Sequence, residues 1–156
     1  MIGWLLDTNV IASLMASNGA PSVKAWAATQ DEHRLFISTL TLAEIDKGIH
    51  NLPDDHPARP RHVIALAMLE ARFAGRVLPL DDATVRRWGR LSGEILRTTG
   101  RAPSVVDILL AATALEHDLH LAARNVRDVA GTGASVFNPW TDDATGFPVA
   151  GIPPRR

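Results

Sequence analysis

Apolar positions along the chain alternate between two spacings. Short runs of strand length fall at Trp4–Leu6, Leu35–Ile37, Val77–Leu80, Leu119–Ala122 and Ser135–Phe137. Between them, apolar residues recur every three or four positions, which is the helical period. The spacing predicts helices over Asn9–Ala16, Ser22–Ala28, Thr41–Leu52, His62–Ala74, Ala83–Thr99 and Ser104–Glu116. Asn18-Gly19-Ala20-Pro21 separates the first two, and Pro53, Pro57 and Pro60 follow the third. Asp81 or Asp82 is placed to cap the fifth, whose stripe of Val85, Trp88, Leu91 and Ile95 is expected to be buried. Strands alternating with helices predict an α/β domain of three α/β/α layers around a central parallel sheet. The domain is expected over 1–140, with a poorly ordered tail over 141–156, where three prolines follow Phe147.

At 156 residues the chain suits a single domain with one substantial core. A formal net charge of −1 does not favour a polyanion or a membrane surface as such, although a local arginine cluster can do so. With no cysteine, disulfides, thiolate catalysis and cysteine-bound metal are excluded. No apolar run approaches the roughly 20 residues that cross a bilayer, and Met1-Ile2-Gly3-Trp4 lacks a basic flank, so a cytoplasmic location is expected.

Parallel sheets bind ligands beyond the carboxyl ends of their strands, and those ends are acidic here. Asp7 follows the first strand. Glu44 and Asp107 lie near helix starts, and Asp128 follows the fourth strand in Ala123-Arg124-Asn125-Val126-Arg127-Asp128. Thr41-x-x-Glu44 and Ser104-x-x-Asp107 both match capping boxes, which satisfy helix amides without any chemistry. The joint placement of four acids is what points to a site. Carboxylates gathered without lysines attract a hard divalent cation, Mg²⁺ or Mn²⁺, which acidifies a water for attack on a phosphodiester.

Leu5-Leu6-Asp7-Thr8-Asn9-Val10, Ser38-Thr39-Leu40-Thr41-Leu42-Ala43-Glu44-Ile45, the stretch from Ser104 to Ala114 and the stretch from Ala123 to Asp128 occur in the order and spacing of four signature blocks. This set resembles the PIN domains, above all the PIN-domain toxins of VapBC-type toxin–antitoxin systems and their FitB-like branch. Phe137-Asn138-Pro139-Trp140 is similar to the closing strand of that branch. The resemblance implies a toxin acting as a metal-dependent endoribonuclease, with Asp7, Glu44, Asp107 and Asp128 as catalytic metal ligands. It also implies Asn9 and Asn125 as residues that orient them. Its implied partners are an RNA substrate, a small cognate antitoxin and a second copy in a homodimer or a dimer of toxin–antitoxin pairs. Ala123 departs from the family, which often carries a hydroxyl residue there.

Arg124 and Arg127 flank the acids and are candidates for RNA contact, while Arg86, Arg90 and Arg97 share one helix stripe. His117 and His120 straddle a helix end, where a cationic ring is favoured. The wide apolar face of His62–Ala74, together with the two short helices, offers a groove for a partner helix; the resemblance implies that the antitoxin docks there. No dinucleotide fingerprint, phosphate loop or Gly-x-Ser-x-Gly elbow appears. Two other readings of the acids stay open. One is a PIN-like binding module that does not cleave; the other is a phosphatase with Asp7 as nucleophile, in which Asn9 replaces the usual second acid.

Overall fold

The computed structural model describes residues 1–151. Five strands, β1 (Gly3–Leu6), β2 (Leu35–Ser38), β3 (Val77–Leu78), β4 (Leu119–Ala122) and β5 (Val136–Phe137), form one sheet in the order β3-β2-β1-β4-β5. Every neighbouring pair is parallel, with Leu6 opposite Ala122 and Leu5 opposite Phe36. From the central β1 the chain proceeds outward through β2 and β3, then returns to the other side for β4 and β5. The β1/β4 boundary is therefore the topological switch point, where such sheets open a crevice.

Strand periodicity divides the apolar residues between two faces. Trp4, Leu6, Leu35, Ile37, Ala122 and Phe137 enter one core with α1 (Thr8–Met15), α2 (Pro21–Ala28) and α4 (Arg59–Arg72). Leu5, Leu119, Leu121 and Ala123 enter the other with α6 (Val105–Glu116). α3 (Thr39–His50) follows β2, and α5 (Asp82–Thr99) packs on α6. These are the three expected layers. No described helix is long and apolar enough to cross a membrane.

Several boundaries differ from the pattern reading for identifiable reasons. β3 stops at Leu78 because Pro79 has no amide to extend a ladder. α4 begins at Arg59 instead of His62, since a proline in the first turn forfeits no helical hydrogen bond, and Pro60 takes that place. The expected stripe of α5 is only partly buried: Trp88, Leu91 and Ile95 are half-buried and Val85 is 41% exposed, because this helix covers another helix and not the sheet. Gly3 is required where β1 meets the β2 entry, since a Cβ there would stand 2.3 Å from the Arg34 carbonyl oxygen.

The first part of the expected tail, 141–151, makes specific contacts. Ala144–Gly146 form a 3₁₀ turn, Phe147 packs on Trp4, His120 and Phe137, and the Ala150 amide donates to the Met1 carbonyl at 2.9 Å. Aromatic burial outweighs the proline content of this segment. The remainder of the expected tail, 152–156, lies outside the described residues. His120 anchors the segment. It is buried, its Nε2–H donates to the Pro148 carbonyl at 2.9 Å, and its Nδ1 accepts from the Ser135 hydroxyl at 2.7 Å. Burial there favours the neutral ring over the cation that a helix end would favour.

Burial pushes the His120 pKa below its ordinary value, with the Met1 ammonium acting the same way and Pro148 and Asp118 opposing. Folding thus favours the uncharged ring, and the stability it contributes above about pH 6.5 is lost on acidification. Hydrogen exchange at the Ala150 amide is expected to accelerate as pH falls below that value, after correction for intrinsic rates. His120→Gln is expected to remove this acid dependence.

Candidate active site

Asp7 ends the central strand at the switch point and has two structural duties. Its amide continues the β1/β4 ladder by donating to the Ala122 carbonyl at 3.0 Å, and its Oδ1 caps α1 by accepting from the Thr8 amide at 2.6 Å. It is 7% exposed.

Glu44 reaches the same edge from α3. That helix starts at Thr39, capped by the Ser38 hydroxyl, so Glu44 falls beyond the first turn and is not part of a capping box. Its Oε1 instead accepts from the Thr8 hydroxyl at 2.7 Å. The buried Thr41 hydroxyl stands 3.5 Å from that of Thr8. Since Thr8 has one hydroxyl proton and gives it to Glu44, Thr41 is the donor in this second contact. Thr8 therefore ties the two acidic elements together, its amide holding Asp7 and its hydroxyl holding Glu44. Asp107 completes the group from the first turn of α6, where the Ser104 hydroxyl caps its amide at 3.4 Å.

The electrostatics of this cluster are uncompensated. The Asp7 pKa rises from 3.8 to about 6, chiefly because burial disfavours the charged form. The Thr8 amide bond opposes the rise, and the charges of Glu44 and Asp107 add to it. Among the described residues, no ion pair involves Asp7, Glu44 or Asp107. Nor do three or more Asp, Glu or His side chains stand close enough to form a finished metal cage. The three acids act on one another at charge range and are not in coordination contact as they stand.

The other expected site residues lie farther out. Asp128 is exposed on a 3₁₀ turn, Val126–Val129, and is not among the charges that act on Asp7. Asn9 is exposed on α1, and Asn125 precedes the 3₁₀ turn without a side-chain cap bond. The Arg124 guanidinium lies 5.2 Å from the Trp140 ring centre, and Arg127 is exposed. Ala123 packs into the α6-side core. Two hydroxyls, those of Thr8 and Thr41, meet beside Glu44, and of these only Thr41 stood out in the sequence, as a capping position.

An apolar groove leads up to this edge. A hollow of about 760 Å³ between α1, α2 and α4 is lined by Ile11, Met15, Ala28, Ala65, Met68 and Phe73, among others. A second, of about 610 Å³, shares Ile11, Met15 and Ala65 and extends to Thr8, Arg61 and His62. On α4, Ile64 and Met68 are 61% and 68% exposed.

A parallel sheet in this strand order, with buried and half-buried acids at its switch point, is the arrangement of a nuclease-like domain, and residues 4–128 match the PIN domain family, to which the chain belongs. The VapC ribonuclease Y4jK of Sinorhizobium fredii is 33% identical over 140 residues, covering 87% of this chain and 96% of the relative. Toxin FitB of Neisseria gonorrhoeae is 30% identical over 138 residues, covering 88% and 99%. Among solved structures, FitAB bound to a DNA fragment superposes with a TM-score of 0.79 at 28% identity, over 90% of this chain and 97% of that one.

A carboxyl group that takes up its proton more readily when folded makes the protein less stable as pH rises from about 4 to 6. The shift from 3.8 to about 6 corresponds to about 3 kcal/mol at most. In metal-free buffer, Asp7→Asn is expected to raise the unfolding free energy at pH 8 by up to that amount and to change little at pH 4. Denaturant melts at the two pH values check this.

Proposed function

We propose that the protein is the toxin of a toxin–antitoxin pair and that it hydrolyses RNA phosphodiesters with Mg²⁺ or Mn²⁺ at the Asp7, Glu44 and Asp107 cluster. The observation that carries this reading is the buried Asp7 carboxyl group, raised in pKa, beside two further acids with no cation to neutralise them. Such a donor set fits a hydrated magnesium ion, which keeps several waters and needs only one or two carboxylates directly. The wide spacing of the acids is compatible with that mode of binding. When bound, the ion supplies a more acidic water and neutralises charge on the phosphodiester.

The chain's own residues have separable parts. Asp7 presents its second oxygen, because Thr8 occupies the first. Thr8 fixes the Glu44 carboxylate, and Asp107 faces them from the opposite layer. Asp128, on the exposed turn, is the candidate for a weaker second site, and Arg124 and Arg127 for contacts to the RNA strand. A small antitoxin is proposed to lie in the groove between α1, α2 and α4, whose upper end opens beside Thr8. The similarity to FitB and VapC toxins and the exposed apolar side chains of α4 support this, and the cytoplasm is the proposed location.

Purified protein is expected to cleave single-stranded RNA with Mg²⁺ or Mn²⁺ and to stop with EDTA. Asp7→Asn is expected to abolish cleavage while leaving the circular dichroism spectrum unchanged. Metal-dependent binding without cleavage by the parent would favour a binding module instead. Thr8→Val is expected to lower metal affinity or turnover about 10-fold, as loss of a ligand-orienting hydrogen bond does; metal titration of both variants is the check. Ala65→Arg is expected to leave cleavage intact but to stop growth rescue by a co-expressed antitoxin.

A further inference from the structure

The arginines of α5 have no part in the site described so far, yet their placement is specific. Arg86, Arg90 and Arg97 fall within about 40° of one another around the helix and span about 16 Å along it. All three are exposed, and so is Arg101 just beyond the helix end. None of these four is among the salt bridges of the described residues, whereas Arg87, on the adjacent face, is paired with Glu116 of α6. Asp82 and Glu94 are the acids of this helix, and neither pairs with the stripe.

The Arg87–Glu116 pair also fixes how α5 lies against α6. It places the first half of α5 beside the end of α6, with the two helices antiparallel. Nine residues forward along α5 and nine back along α6 bring Leu96 level with Asp107. Arg97 is therefore level with Asp107 along the helix axes, but Trp88, Leu91 and Ile95, which pack toward α6, lie about 120–180° round the helix from the stripe, so the arginines face away from α6. Gly89 and Gly93 border the stripe on the exposed side, and a Cβ on either would meet nothing within 4 Å. Glycine inside a helix is less favourable than alanine, and here packing gives no reason for it. Its effect is to leave bare backbone beside the arginines, so an extended polyanion can approach closely.

We propose that this face of α5 is a track for the sugar–phosphate backbone of single-stranded RNA, holding the strand at a distance from the acids on the solvent side of the α5–α6 layer. The inference rests on the nuclease reading and extends it to substrate binding. Charge is the argument for this occupant over a second copy of the chain: three unpaired like charges in one stripe repel their symmetry mates and attract phosphates.

The test measures binding of a labelled single-stranded RNA to the cleavage-silent Asp7→Asn protein across a range of salt, without divalent metal. Arg86→Gln/Arg90→Gln/Arg97→Gln is expected to weaken binding at least ~10-fold and to flatten the log–log salt slope by about 2, three phosphates at roughly 0.7 each. The corresponding Lys triple is expected to keep the slope. Ala74→Glu, which shifts net charge by one on the other helical layer, is expected to change neither as much as any single Arg→Gln. If the unmodified chain cleaves RNA and the Gln triple keeps parental affinity and slope, the track alone is overturned. An unmodified chain that neither binds nor cleaves RNA overturns the nuclease reading and the track together. If Gly93→Leu splits a dimer into monomers that retain the parental slope, the face belongs to a second copy and the proposal falls.

Discussion

The constraint on which the molecule turns is a carboxyl group that the fold cannot avoid burying. Asp7 is the hinge between β1 and α1: its amide still belongs to the sheet and its side chain already belongs to the helix. Both roles place it at the switch point, under the neighbouring strands, where water is scarce and two more acids approach. Taken as architecture alone, this is an unfavourable arrangement, since a neutral cap would satisfy the same amide. The cluster makes physical sense as a place whose charge is completed by something brought from outside.

Thr8 shows how closely structural and functional duties are interleaved. One residue supplies both the amide that orients Asp7 and the hydroxyl that holds Glu44, so the first turn of α1 sets the geometry of two carboxylates at once. The apolar side chains of that helix, Ile11 and Met15, face the groove. Anything seated there presses on the element that positions the acids, which gives a partner a mechanical route to the site as well as a steric one.

Much of this was legible in the amino-acid order. Alternation of apolar runs gave the layers, because in-and-out periodicity at β1, β2 and β4 is what divides the two cores. Asp7 was recognisable because an acid ends an apolar strand. Glu44 fitted a capping box as well as the acidic set, since Ser38 and Thr41 are equally good caps and only the backbone reveals which one is used. Thr8 was overlooked because its partner is 36 residues away and a threonine beside an aspartate has no distinguishing pattern. The contacts of Phe147 and Ala150 were not legible, because their partners, Trp4 and Met1, lie at the other end of the sequence. The partial exposure of α5 was illegible for another reason: a helix packed on a helix and one packed on a sheet share the same period.

The hydrogen bond between Ala150 and Met1 brings the described chain back to the start of β1. Met1 leads into β1 from the amino side, so this junction lies across the sheet from the acids. A reporter group attached at Ala150 would therefore sit at the far end of the sheet from Asp7, Glu44 and Asp107.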